Sequence, residues 1–183
     1  PLAHAAAIDS TDIVVVAASG TSGAGRKPSD SLLATSVMGS MSAYKVGGIH
    51  QHTPEMEQSI AAAAGEDPFA VRVSFTPLLA PMPRGIVATC SAPVLPGHDP
   101  GAIIRAAYLN EQFVTVLGEG HWPATGAVFG TNGAQLQVSG DEHAGFLRLT
   151  ERQSPGSSGI VGDDGVRGNA GWFPHEFEYI VAD

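Results

Sequence analysis

Ile13-Val14-Val15-Val16-Ala17-Ala18 is apolar at every position. A strand with one wet face would alternate, so residues 12–18 read as a strand buried on both faces. Residues 69–76 do alternate. Phe69, Val71, Val73 and Phe75 are set against smaller or polar partners, the pattern of a half-buried strand. A proline-rich connection (Pro77, Pro81, Pro83) leads into Gly85-Ile86-Val87-Ala88-Thr89-Cys90-Ser91, a further strand. Two stretches read as helices. In 54–64, Thr53 is the expected N-cap, Pro54 the first helical residue, Glu55 lies in the first turn and Gly65 is the stop. In 99–109, Asp99 is the cap and Pro100 follows. Strands follow at about 112–117, 127–130, 134–139 and 145–150. Residues 1–11 are small and read as irregular or as the end of a helix. This order predicts an α+β domain: a mixed, mostly antiparallel sheet with helices on one face.

The pattern changes after residue 150. Glycine recurs at every third position from Gly156 to Gly171, with almost no proline between, so a collagen triple helix is excluded. Apolar residues are sparse until Trp172-Phe173 and the run from Phe177 to Val181. The expected organisation is one domain over 1–150 and a divergent glycine-rich tail over 151–183, partly disordered, with an optional strand at its end.

Composition narrows the function class. The 183 residues carry a net charge of −9, too few cations for a basic nucleic-acid-binding face. No apolar run is long enough to cross a bilayer, and no basic start precedes an apolar signal core. A cytoplasmic, soluble protein is expected. The single cysteine, Cys90, excludes an internal disulfide and a cysteine-rich zinc module; amid small apolar residues it reads as a buried, inert thiol.

Three segments carry candidate chemistry. The first is the glycine-rich loop after the first strand, Ser19-Gly20-Thr21-Ser22-Gly23-Ala24-Gly25-Arg26-Lys27. It narrowly misses the Walker, dinucleotide and nucleophile-elbow patterns, and it reads either as a plain loop or as a nest of backbone donors for an anion. Arg26 and Lys27, directly after it, favour an anion clamp. The second is His50-Gln51-His52-Thr53-Pro54-Glu55, with Tyr44 and Lys45 close before it. Histidine exchanges protons near neutral pH, and a helix N-terminus favours its neutral, basic form. The same spacing also admits a structural pair or a three-ligand metal site of His50, His52 and Glu55. The third is Arg84, a cation in a stiff connection leading into a strand.

Together these segments resemble N-acetyl-γ-glutamyl-phosphate reductase, over about residues 12–150. The pieces that carry the resemblance are 19–26, Ala43-Tyr44 with His50 to Glu55, Ser74-Phe75-Thr76-Pro77 through Pro83-Arg84-Gly85 to Cys90, Glu119-Gly120 with Pro123, and Gly126-Ala127-Val128 with Asn132. The resemblance implies the second domain of that family, which builds the substrate site and the subunit interface. Its fold is like the catalytic domains of aspartate-semialdehyde and glyceraldehyde-phosphate dehydrogenases. It further implies a reductase in which a cysteine thiolate attacks an acyl phosphate, phosphate leaves, and NADPH reduces the thioester to a semialdehyde. His50 and His52 fall on the family's His-x-His-x-Pro-Glu motif, so one of them is the expected acid–base residue. Ser22, Gly23, Arg26, Tyr44, Glu55 and Arg84 are expected to bind substrate, and Gly23 and Ala24 to touch NADP, which a separate N-terminal domain mainly binds. The family's nucleophile lies in a Gly-Cys-Tyr-Pro-Thr motif that this chain does not contain, and Cys90 does not match it. The chain alone is therefore expected to be inactive and to form homo-oligomers. Two other classes remain open: a non-catalytic dimerisation module, and a metal-dependent hydrolase built on His50, His52 and Glu55.

Overall fold

The computed structural model describes residues 1–24, 30, 33–141 and 146–153. The glycine-periodic tail, Gly25, Arg26 and Lys27 lie outside the described residues. In chain order the elements are β1 (Ile13–Ser19), a 3-10 turn (Thr21–Ala24), α1 (Ala34–Val37), β2 (Ser42–Ala43), α2 (Thr53–Ala64), β3 (Val73–Leu79), β4 (Ile86–Pro93), α3 (Pro100–Ala107), β5 (Val114–Val116), β6 (Ala134–Asp141) and β7 (Phe146–Gln153). The strands form one seven-stranded sheet in the order β2-β3-β1-β4-β7-β6-β5. Pairing is antiparallel except at β1–β3 and β5–β6. The mixed, mostly antiparallel sheet expected from the sequence is what the chain builds.

Strand register decides which side chains share a face, because side chains alternate with period two. Ile13 and Val15 lie level with Val73 and Phe75 of β3, and Val15 lies level with Cys90 of β4. The register continues from Cys90 through Leu149 to Val138, and from Leu136 to Val116. α2 covers the first part of this face, where Met56 and Ala61 pack with Ile13, Val15, Val73 and Ala92. α3 and the residue after it cover the far part, where Ile104 and Tyr108 pack with Leu136, and Val114, Val116 and Val138 pack against them. Both helices thus lie on one side of the sheet, and Ile8 touches both clusters.

Three local expectations are corrected. β1 is not buried on both faces: Ile13, Val15 and Ala17 are buried, whereas Val16 on the other side is 38% exposed. Its unbroken apolar run includes a second face, Val14, Val16 and Ala18, that the described residues cover only in part. The strand expected over 69–76 begins only at Val73 and runs through Pro77 to Leu79. Asp67 accepts a hydrogen bond from the Phe69 N–H at 2.8 Å, which turns the chain there and leaves the Phe69 ring 84% exposed. Residues 127–130 form turns, not a strand. Ala127 N–H donates to the Ala124 carbonyl and Thr131 N–H to that of Val128, and Gly130 has φ +75°. Such three-residue spacing is incompatible with a pleated strand. Residues 1–7 form turns, in keeping with the irregular reading, Ala5 N–H bonding to the Pro1 carbonyl and Ala7 N–H to that of Leu2.

α3 begins as its sequence indicates, with the Asp99 carboxylate accepting from the Ala102 N–H at 2.9 Å. α2 begins one residue earlier than expected. The first helical bond runs from the Met56 N–H to the His52 carbonyl, so His52 is the N-cap, and its side chain makes no capping bond. Thr53 lies inside the helix, because its N–H donates to the His50 carbonyl and draws the chain into helical geometry before it. Gly65 ends α2 in the left-handed conformation, φ +71°, as expected.

Candidate functional site

β1 and β3 run parallel, so their C-terminal ends, Ser19 and Leu79, emerge side by side. Loops leaving the carboxyl ends of neighbouring parallel strands are where ligand-handling groups commonly gather. Here the two loops are bonded to each other. Gly20 N–H donates to the Gly85 carbonyl (2.8 Å), Thr21 N–H to that of Met82 (3.0 Å) and Ser22 N–H to that of Pro83 (3.2 Å). This brings the backbone of Ser22 against Pro83, next to Arg84, so that two candidates far apart in sequence lie on bonded loops. It also corrects the donor nest read from the glycine spacing. The amides of residues 20–22 are consumed by this pairing, and Gly23 N–H donates back to the Gly20 carbonyl at 3.2 Å. These four donors are not available to an anion. What the loop and its neighbour present instead are the exposed side chains of Ser22 and Arg84.

The histidine pair sits beside β3. β2 pairs with Leu78 and Leu79, and the Tyr44 N–H donates to the Pro77 carbonyl at 3.2 Å. Positive φ at Lys45, Gly47 and Gly48 then turns the chain back, delivering His50 and His52 to the start of α2. His50 is only 6% exposed. Its ring meets those of Phe75 and His52 edge-on, each at a centroid distance of 5.0 Å, and that of Tyr44 at 5.7 Å. The His52 N–H donates to His50 Nδ1 at 3.3 Å, which requires a lone pair there and places a neutral ring's proton on Nε2. Burial pushes the His50 imidazole below its usual range, the neighbouring His52 and Lys45 push it the same way, and Glu55 opposes them. Desolvation, the leading cause, thus favours the neutral form of this imidazole. Burial also raises the Tyr44 hydroxyl above its ordinary value. His52 is half-buried, and the Gln51 side-chain nitrogen stands 3.2 Å from its Nε2.

Two groups result: Tyr44, His50 and His52 with Glu55 nearby, and the loop of Ser22 and Gly23 bonded to the loop of Arg84. Along β3, Phe75 under His50 and the strand end at Leu79 are separated by roughly 13 Å, from about 3.3 Å of rise per residue. Among the described residues, no three His, Cys, Asp or Glu side chains come together to hold a metal ion. His50, His52 and Glu55 therefore do not form the ligand set that their spacing allowed. Cys90 is half-buried and packs against the α2 side of the core. The sequence reading missed two contributors, Phe75 as a wall of the His50 site and Gly20 as the contact point with Arg84. Phe75 looks like any core residue of an alternating strand, and only pairing across the sheet reveals the other use.

Residues 1–151 match the family described as the semialdehyde dehydrogenase dimerisation domain. The chain belongs to this family. It is 55% identical over 147 residues to the N-acetyl-gamma-glutamyl-phosphate reductase of Acidothermus cellulolyticus, a match covering 79% of this chain and 42% of that protein. It is 54% identical over 149 residues to the protein of the same name from Streptomyces coelicolor, with the same coverage. The chain thus spans about 42% of the length of these curated relatives. Among solved structures, aspartate semialdehyde dehydrogenase II of Vibrio cholerae superposes with a TM-score of 0.63 at 11% identity, over 83% of this chain and 52% of that one. The resemblance read from the spaced motifs and the semialdehyde-dehydrogenase-like fold are both borne out. Among the described residues, no helix is long and apolar enough to cross a membrane.

Proposed function

We propose that this chain is the substrate-binding and subunit-pairing part of an N-acetyl-γ-glutamyl-phosphate reductase, a cytoplasmic NADP-dependent oxidoreductase of arginine biosynthesis. The observation that carries this reading is the His50–His52 pair at the start of α2, in a chain 55% identical to proteins of that name. His52 is assigned the proton transfers. It is half-buried and able to meet a ligand, whereas His50 is enclosed by Tyr44 and Phe75. His50 is assigned to hold His52 in place, since it accepts the His52 backbone N–H through Nδ1. Exchange of a proton with the reacting thiol and with the oxygen of the forming semialdehyde requires a base that cycles near neutrality, which imidazole supplies.

Arg84, together with Arg26 and Lys27, is assigned to the substrate's phosphate and carboxylate, with Ser22, Tyr44 and Glu55 lining the site. A guanidinium recognises either anion through paired N–H donors. NADPH, when bound, would supply the hydride. Gly23 and Ala24 fit the edge of such a cofactor by packing only, because the amides of residues 20–23 are already engaged and leave no phosphate cradle among them. The cofactor's phosphates are accordingly assigned to another part of a longer protein, and so is the nucleophilic thiol, since Cys90 packs against the core. A second copy is the expected partner. The sheet face opposite α2 and α3 carries Val14, Val16, Leu78 and Val87, an apolar surface that pairing would cover.

The test is an assay of the full-length protein with N-acetylglutamate semialdehyde, inorganic phosphate and NADP, following NADPH. Turnover is expected there and none from the 183-residue chain alone. A full-length protein without turnover ends the reading. Turnover by the short chain ends the assignment of thiol and cofactor elsewhere.

A further inference from the structure

Gly20 differs from the other glycines in what surrounds it. A Cβ built there would stand 2.7 Å from the Arg84 nitrogen, 2.8 Å from its Cα and 2.9 Å from its carbonyl carbon. All three are backbone atoms, so no rotamer change relieves the contact. By contrast, a Cβ at Gly39, Gly47, Gly48, Gly65 or Gly97 would meet nothing within 4 Å; those glycines answer to a positive φ rather than to space. The contact lies in the middle of the bonded loop pair. Gly20 N–H itself donates to the Gly85 carbonyl, and the next two amides donate to Met82 and Pro83. Gly85 adopts φ +90°, a turn that lets its carbonyl face Gly20. Below the pair, Ala80 N–H donates to the Ser19 carbonyl at 2.8 Å, anchoring both loops to the strand ends.

We propose that Gly20 is a positioning residue for Arg84: the missing side chain lets the loop after β1 seat directly on the Arg84 backbone, which fixes the point from which the arginine reaches an anionic group of the substrate. This rests on the assignment of Arg84 to substrate made above. Arg84 is exposed and on a loop, where a long side chain samples many directions. A backbone pinned from below removes that freedom at its root. Any side chain at position 20 pushes the two loops apart, breaks the bonds to Met82, Pro83 and Gly85, and displaces the Arg84 Cα. The fold keeps its sheet, but the cation loses its place.

The experiment uses the full-length protein in the direction that consumes semialdehyde, inorganic phosphate and NADP, varying phosphate and semialdehyde separately. Gly20→Ala is expected to raise the KM of the anion that Arg84 holds by roughly 10- to 100-fold, the scale of an ångström-sized misplacement. The kcat is expected to change far less. A rise confined to phosphate identifies the phosphate as that anion, and a rise confined to semialdehyde identifies the carboxylate. Arg84→Ala is expected to raise the same KM, and the double variant to be no worse than Arg84→Ala, because residue 20 acts only through residue 84. Effects that multiply in the double variant overturn the proposal, as does a Gly20→Ala protein with unchanged KM values. If Arg84→Ala itself leaves both KM values unchanged, the earlier assignment of Arg84 fails and this inference falls with it, so the two failures are distinguishable. Should Gly20→Ala not fold, one glycine inserted between Pro83 and Arg84 moves the arginine out of register from an exposed loop. The same KM rise is expected, and an unchanged KM overturns the proposal.

Discussion

α2 and α3 start with nearly the same grammar, a polar residue with a proline just behind it, yet the two starts are built differently. At α3, Asp99 is extended and its carboxylate satisfies the Ala102 amide. At α2, His52 is already helical, caps nothing, and is followed by Thr53, whose buried Oγ1 has no hydrogen-bond partner among the described residues. A side-chain cap contributes about 1 kcal/mol, and an unpartnered buried hydroxyl costs on the order of 1–3 kcal/mol. The start of α3 is arranged for stability. The start of α2 forgoes it at the two positions that adjoin the histidine cluster. Functional or strained sites are where such local departures are expected.

The comparison can be broken most directly at His52. His52→Gln in the full-length protein is expected to lower kcat by about 10²–10⁴-fold, the range for losing an acid–base group. Its unfolding free energy should shift by no more than about 0.5 kcal/mol, as for substitutions away from packed features. Loss of folding with intact specific activity would reverse the assignment. Ile104 of α3, fully buried, is the counterpart. Ile104→Ala is expected to cost about 2–5 kcal/mol in denaturant unfolding, through lost burial and a cavity, while both KM values stay unchanged. The two helix starts should then give opposite signs. Asp99→Ala should destabilise by about 1 kcal/mol. Thr53→Val, which keeps the shape and removes the orphaned hydroxyl, should stabilise by about 1 kcal/mol. A destabilising Thr53→Val would mean that the hydroxyl finds a partner.

The smallest effect is the pH dependence of His50. Its ring is held below the ordinary histidine value by burial, by His52 and by Lys45. Between that lowered value and the unfolded one near about 6.5, the unfolded chain binds more protons than the folded one, so stability falls as pH drops through this window. His50→Asn keeps an acceptor for the His52 amide and removes the titration. Its unfolding free energy should therefore decline less steeply than the parent's as the pH is lowered from about 7.5. Parallel slopes in the two proteins would show that His50 does not contribute.

The elements that read correctly are those whose cues are local. Gly65 stops α2 and Asp99 starts α3 because capping involves neighbours within one turn. The histidine motif, with its proline and glutamate, was equally legible, as were Arg84 and Tyr44 as candidates. Several readings failed where a distant partner intervened. The 20–23 amides looked like an anion nest until the 82–85 loop accepted most of their hydrogen bonds, and β1 looked doubly buried although Val16 on one face is exposed.

The order of apolar runs, the two capped or proline-started helices and the chemistry-bearing residues were determined by the sequence alone, since each depends on spacing of a few residues. Tertiary structure decided which of those residues meet. Tyr44, His50 and Phe75 share one site because β2 and β3 pair in a particular register, and the loops of Ser22 and Arg84 are bonded because two parallel strands end together. Register is set by burying one face of the whole sheet at once, and no window of neighbouring residues contains that requirement.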